Sequence, residues 1–220
     1  MLVRPANRSG RVLQHTIRVN FEATGNDRYT ELLTQIGGAA YLMEFVDGSE
    51  IRASVNSTFE RIDAAFGIGP TLKVPAGEYR YNDVELQYSS DSSKPLSGGL
   101  KINAGEFWTG RQRATQGHVR YRLNAHLAAS ATLERSVLKL PQGSFTADLV
   151  GLRVDTSFTR RMFLNAFIQY NGEIDAWLSN IRFNLIHRPL SDIYLLWNET
   201  RLPTGVHRAL LMKYTHLLAF

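Results

Sequence analysis

Asp83 and Glu85 are the first residues whose types and spacing suggest chemistry: two carboxylates two positions apart, on one face of a strand. Paired carboxylates are the residue types of a glycosidase acid and base. The same spacing also simply lines a hydrated strand face, and that is the expectation adopted for them. The histidines are weaker candidates. His118 and His126 share a face but stand eight residues apart, roughly 26 Å along one strand, too far for a single metal ion. His187, His207 and His216 fall near strand ends without His-x-His or His-Glu-x-x-His spacing. No G-x-S-x-G element, phosphate-cradling glycine loop or dinucleotide fingerprint occurs, and Gly67-Ile68-Gly69-Pro70 reads as a turn-rich loop. With no cysteine there is no thiolate zinc site, thiol nucleophile or disulfide. The residues therefore name no catalytic group, cofactor or metal, and the expected protein is not an enzyme.

The elements that position these side chains repeat with period two. Ile17, Val19, Phe21 and Ala23 alternate with Arg18, Asn20 and Glu22; Ile51, Ala53 and Val55 alternate with Arg52, Ser54 and Asn56. Val84, Leu86 and Tyr88 alternate with Asp83, Glu85 and Gln87, and Leu100, Ile102 and Ala104 with Lys101 and Asn103. In an extended chain those sets point to opposite faces, one apolar and one polar, whereas on a helix they would scatter. The longest case sets Val119, Tyr121, Leu123, Ala125 and Leu127 against His118, Arg120, Arg122, Asn124 and His126. Met162, Leu164, Ala166, Ile168 and Tyr170 oppose Asn165, Gln169 and Asn171; Ile181, Phe183 and Leu185 oppose Asn180, Arg182 and Asn184.

About twelve segments follow this rule: 11–24, 33–46, 49–61, 78–90, 97–109, 114–129, 131–139, 144–156, 160–171, 175–187, 191–199 and 207–220. Most exceed the ~5–6 residues usual in globular strands and reach the ~9–11 of a tilted strand crossing a bilayer. Short links at Val46–Ser49, Ala128–Ser130, Ser157–Arg160 and His187–Ser191 alternate with longer ones at Gly25–Leu32, Ile62–Gly77, Thr109–Arg113, Asn171–Asp175 and Thr200–Val206. That asymmetry is the habit of outer-membrane barrels, and Ser89–Leu96 breaks it. An even strand number would set both termini on the short-turn side. Aromatics including Phe45, Phe59, Tyr79, Tyr81, Phe107, Trp108, Tyr170, Trp177, Trp197 and Tyr214 sit near segment ends, where interfacial girdles would put them. The chain stops on Phe220, with Met212, Tyr214 and Leu218 at alternate positions, an ending that barrel-insertion machinery reads; His216 departs from that face.

Composition narrows the classes. The 220 residues are 44% hydrophobic and 20% charged, with net charge +5; the mean hydropathy is −0.20 and the isoelectric point about 9.6. Lysine and arginine are spread over all segments rather than gathered in a patch, so nucleic acid is not an expected partner. No run of about 18 apolar residues offers a transmembrane helix. The opening MLVRPANRSGR lacks the apolar core of a signal peptide, so the chain is expected to be part of a longer or processed protein.

Several motifs together resemble a known family. They are Val74-Pro75-Ala76-Gly77-Glu78-Tyr79, Gly105-Glu106-Phe107-Trp108-Thr109-Gly110 and Leu140-Pro141-Gln142-Gly143-Ser144-Phe145. More specific are Phe167-Ile168-Gln169-Tyr170-Asn171, Ser179-Asn180-Ile181-Arg182-Phe183 and Arg188-Pro189-Leu190-Ser191-Asp192-Ile193-Tyr194, running into Leu195-Leu196-Trp197-Asn198-Glu199. From Phe66 onward the chain resembles the C-terminal outer-membrane barrel domain, of unknown function, of bacterial envelope proteins that carry an N-terminal family-nine-type carbohydrate-binding domain. The resemblance implies a membrane barrel, usually a larger one. The 65 residues before it are too few for the carbohydrate-binding domain, through which such proteins are often labelled hydrolases, so that label is not expected to transfer. The motif residues themselves read as structural. Gln169 and Asn171 would share a polar network with Asn180 and Arg182, and Pro189 with Asp192 would set a tight turn.

The expected fold is thus all-β: one antiparallel transmembrane β-barrel domain over 1–220, with residues 1–10 as an N-terminal extension, in a bacterial (Gram-negative-type) outer membrane. Lipid would meet Val119, Tyr121, Leu123, Met162, Leu164, Ile168, Ile181, Phe183, Leu185 and Phe220. A hydrated lumen would be lined by Arg18, Arg52, Asp83, Glu85, Lys101, His118, Arg120, Arg122, Arg153, Gln169, Asn180 and Arg182, with Glu44 and Glu134 helping Asp83 and Glu85 to offset the cations. The expected partners are the lipid bilayer, barrel-insertion machinery acting through the C-terminal strand, and small solutes passing a porin-like pore or an export or anchoring channel. An excess of lumen arginines would favour anions in a wide pore, or build a plug of salt bridges in a narrow one. The alternative is a soluble β-barrel or sandwich that turns the apolar face inward around a carbohydrate or apolar ligand.

Overall fold

The computed structural model describes residues 10–28, 30–69 and 72–217, and the backbone of 2–5. Phe220 and Leu218 lie outside the described residues. The described chain is all-β, in fifteen strands: β1 (Leu2–Pro5), β2 (Val12–Gly25), β3 (Leu32–Phe45), β4 (Glu50–Ile62), β5 (Phe66–Ile68), β6 (Leu72–Val74), β7 (Gly77–Ser89), β8 (Leu96–Phe107), β9 (Gly110–Arg122), β10 (Leu127–Leu140), β11 (Gly143–Thr159), β12 (Met162–Asn171), β13 (Ala176–Arg188), β14 (Ser191–Leu202) and β15 (Gly205–Tyr214). Thirteen form one sheet in sequence order, skipping only β5 and β6, which pair with each other. Twelve of the thirteen are long, as the alternation predicts, and every pairing whose register is defined is antiparallel.

Four expectations are corrected in detail. Residues 1–10 are not wholly an extension, because β1 pairs with β2 through Leu2↔Ile17 to Pro5↔Gln14. The turn placed at Ala128–Ser130 lies instead at 123–126, where the Asn124 side chain accepts the backbone N–H groups of His126 (2.7 Å) and Leu127 (2.9 Å). An asparagine that caps amides two and three residues on makes a turn there cheaper than continuing the strand. The long links expected at Thr109–Arg113 and Thr200–Val206 tighten to two-residue turns, so the longest link is the one between β4 and β7. Asp192 does not cap a turn with its side chain. It exchanges both backbone hydrogen bonds with Thr215, while the left-handed turn residue is Leu190, at φ 58°.

Packing divides the chain into two compact units, 1–91 with 99–117 and 135–147, and 92–98 with 118–134 and 148–220. In the first, the link between β4 and β7 is more than the turn-rich loop expected from its glycines. Phe66-Gly67-Ile68 and Leu72-Lys73-Val74 form the β5–β6 hairpin. It lays Leu72 and Val74, both almost wholly buried, against Ile62, Tyr79, Leu138 and Leu140, with Phe107, Trp108 and Phe145 around them. Full burial of each such aliphatic side chain stabilises by roughly 1.5–3 kcal/mol. Gly69 permits the hairpin bend: its φ is 55°, and a Cβ there would strike the Phe145 ring at 2.5 Å. Beneath the hairpin, one oxygen of Glu60 accepts both the Tyr81 hydroxyl (3.0 Å) and the Trp108 indole N–H (2.8 Å). Trp108 holds a left-handed φ of 50° in the β8–β9 turn, and that indole bond fixes it there. Phe59 and Tyr79 are therefore buried rather than parts of an interfacial girdle, Phe59 lying under the Arg80 guanidinium at 4.8 Å.

Candidate functional site

In the first unit the two faces of the sheet are exposed in the opposite sense to a soluble fold. In the first unit the registers Ala39↔Val55, Val55↔Val84 and Val84↔Ala104 put the apolar residues of β3, β4, β7 and β8 on one face. That face is open: Val19 is 71% exposed, Val84 55% and Leu86 53%. The other face is sheltered. Ser54 is 9% exposed, and the Glu85 side chain 16%. Along β7 the inversion runs from Asp83 to Ser89: Val84, Leu86 and Tyr88 are exposed, and Asp83, Glu85, Gln87 and Ser89 half-buried.

The sheltered polar face of the first unit is built by cross-strand pairs. Asn56↔Asp83 and Asp83↔Gly105 are register partners, as are Ser54↔Glu85, Glu85↔Asn103, Arg52↔Gln87 and Gln87↔Lys101. Asp83 accepts from Asn56 Nδ2 (2.9 Å) and, one pair along, from Asn103 Nδ2 (3.1 Å). Lys101 Nζ lies 2.8 Å from Glu85. Sidechains opposite and diagonal to one another on a pleated sheet are within such reach, which is why alternation alone brings these groups together. Asp83 and Glu85 are thus each engaged by their own partners, an amide clasp and an ammonium. Arg18, Arg52 and Glu50 surround a smaller recess of about 230 Å³ on this face; the Arg52 Nε is buried there without a hydrogen bond among the described residues.

In the second unit the polar face of β11–β14 carries arginines over aromatic rings. Arg153 opposes Phe167 and its guanidinium lies 5.3 Å from that ring; Arg182 lies 5.9 Å from the Tyr194 ring. Asn165 Nδ2 donates to Asp155 (2.7 Å), and Asn180 donates to Asn198 on β14. The network expected between Gln169, Asn171, Asn180 and Arg182 does not form, because the register sets Gln169 against Gly151 and Leu178, and Asn171 turns to accept the Glu173 N–H. Asn180 and Arg182 do share the polar face with Gln169. Met162, Leu164, Ile168, Ile181, Phe183 and Leu185 share the opposite face. Ile168 and Ile181 are exposed, and Met162, Leu164, Phe183 and Leu185 half-buried.

His118 and Arg120 on β9 are exposed, as are Val119 and Tyr121, while Arg122 is half-buried with Nη2 3.5 Å from the Ser92 carbonyl. Leu123 sits just past β9 in the turn, and His126 lies in that turn rather than on one strand with His118; its Nδ1 is 2.9 Å from the Ser157 carbonyl oxygen. Sequence spacing missed one grouping altogether: the His187 ring stacks on Tyr214 (5.4 Å) and His216 (5.8 Å), with both its ring nitrogens buried and unbonded among the described residues. Only the pairing of β13 with β14 and of β14 with β15, invisible in the sequence, brings those three together. No group of three or more potential metal ligands occurs among the described residues.

Comparison with protein families and with curated proteins yields no match for this chain. Among solved structures it is similar to a KdgM porin in complex with disordered oligogalacturonate, at 9% identity and a TM-score of 0.35, over 92% of this chain and 99% of that one.

Proposed function

We propose that this chain forms wall of a transmembrane antiparallel β-barrel in a bacterial outer membrane, serving as a passive pore or as an export or anchoring channel. The inverted exposure of β7 from Asp83 to Ser89 carries the reading: Val84, Leu86 and Tyr88 stand open while Asp83 and Glu85 are sheltered and bonded to polar neighbours. In water that arrangement leaves a row of large apolar side chains open on neighbouring strands, which soluble monomers avoid; against lipid it is the favourable one. The soluble alternative requires the reverse, with Val55, Val84 and Leu86 inside. Strand length supports the same conclusion, since β2 to β4 and β7 to β15 have 10 to 17 residues each.

The polar face is the solute-facing side in this reading. Asp83, Glu85 and Glu60 in the first unit are engaged, whereas Arg153 and Arg182 present guanidinium groups with no carboxylate partner among the described residues. Small anionic solutes are the favoured class. Catalysis is not part of the proposal, and insertion machinery would engage the C-terminal strand. The resemblance of the Phe167–Asn171 and Ser179–Phe183 motifs to envelope-protein barrel domains agrees with the assignment.

Planar-bilayer reconstitution of the chain refolded in detergent tests it. The expected result is aggregation in plain buffer, folding in detergent, and discrete conductance with a reversal potential favouring anions. A monodisperse protein in plain buffer with no conductance would overturn the reading.

A further inference from the structure

We propose that the apolar face of the first unit is a binding trough for an anionic, phosphate-bearing lipid, whose headgroup is held by Arg111, Arg113 and Lys139 and whose acyl chain lies along β3, β4, β7 and β8. The proposal rests on the membrane reading above and deepens it by naming a specific lipid chemistry.

Two concavities adjoin on that face. The larger, of about 980 Å³, is lined by the basic Arg111, Arg113 and Lys139 and by the apolar Val55, Val84 and Val137. The second, of about 600 Å³, shares Ala39, Val55, Val84 and Ala104 with the first and continues over Ile17, Leu86 and Ile102. Small side chains make the channel. Gly37, Ala39, Ala53 and Ala104 run between the bulkier Ile17, Tyr41 and Leu86, so the trough is a property of residue size at fixed register. Each volume lies in the range that holds a small-molecule ligand, ~300–1,000 Å³.

Charge decides which occupant fits. Among the described residues no carboxylate pairs with Arg111, Arg113 or Lys139. Of the two acids lining the larger concavity, Glu106 accepts the Asn82 backbone N–H (3.2 Å), and Asp83, whose carboxylate belongs to the sheltered face, is held by Asn56 and Asn103. Arg61, by contrast, is tied between Glu31 (3.2 Å) and Glu78. Arg111 and Arg113 stand at the start of β9, next to the Trp108–Thr109 turn, and Lys139 at the end of β10. Basic groups at strand ends with an apolar trough leading away from them match a lipid headgroup followed by its chain. A zwitterionic headgroup would bring its own cation against the three, and a free anion would leave the trough unused.

The test uses the full chain folded in non-ionic detergent. Native mass spectrometry follows the retention of phosphatidylglycerol and phosphatidylcholine of identical chain length. At about fivefold per neutralised cation near a membrane surface, the expected preference for phosphatidylglycerol is at least about tenfold. Arg111→Gln/Arg113→Gln/Lys139→Gln should bring the preference to about parity, and Arg113→Gln alone, should the triple variant not fold, should lower it about fivefold. Ala104→Leu, filling the trough, should reduce retention of both lipids while keeping their ratio. The proposal is overturned if the triple variant keeps the preference, if Ala104→Leu changes nothing, or if millimolar inorganic phosphate strips the lipid. A chain that is soluble and folded without detergent would instead overturn the membrane reading, and is told apart by that control before any lipid is added.

Discussion

The polar faces of the two units hold their charge differently. On β4, β7 and β8 three carboxylates sit in fixed cradles: Asp83 between Asn56 and Asn103, Glu85 against Lys101, and Glu60 under Tyr81 and Trp108. On β11 to β14 the cations Arg153 and Arg182 rest on Phe167 and Tyr194, their donor groups directed by ring contact rather than by ion pairing. A carboxylate that accepts two or more donors is locked, because releasing it would leave buried donors unsatisfied. A guanidinium over a ring keeps its donors available. These three carboxylates of the first unit thus hold register, whereas in the proposed channel Arg153 and Arg182 of the second keep donors open to an anion.

The largest effect should come from the packing that closes one end of the first unit's polar face. Leu72→Ala removes the near-fully buried centre of the hairpin cluster and should cost about 2–5 kcal/mol, measured by denaturant unfolding in vesicles. An unchanged midpoint would mean that the hairpin does not hold the unit together. Next comes the amide clasp. Asp83→Leu leaves Asn56 and Asn103 without their acceptor and should destabilise by about 1–3 kcal/mol, with little change in ion selectivity. The smallest change in stability is expected in the second unit. Arg153→Gln and Arg182→Gln each lose a ring contact worth roughly 0.5–1 kcal/mol, but they should shift the reversal potential toward cations. Selectivity that follows Asp83 rather than the arginines would invert the comparison.

How much of this the sequence carries depends on the scale of the contact. Period-two alternation is local, so the twelve long strands and the two faces of β7 are legible from Asp83 to Tyr88 directly. Turns of two residues are less legible: Arg111 and Arg113 look like loop residues because they are charged, yet they continue β9 as part of the open face. The β5–β6 hairpin was obscured by its glycines, although Phe66-Gly67-Ile68 and Leu72-Lys73-Val74 each alternate over three residues. Cross-strand partners are the least legible. Asn180 bonds Asn198 rather than the Gln169 set, and His187 meets Tyr214 and His216, because register is settled by whole-strand pairing and not by any one motif.

The central claim is that the apolar face meets lipid, and Val84→Arg tests it most directly. Val84 lies mid-strand on β7, more than half exposed, between Val55 and Ala104. Facing a bilayer, an arginine there should cost about 2–4 kcal/mol of folding free energy measured in vesicles. Facing water, the same substitution at an exposed position should stay within about 0.5 kcal/mol. The account predicts the first result; the second would contradict it.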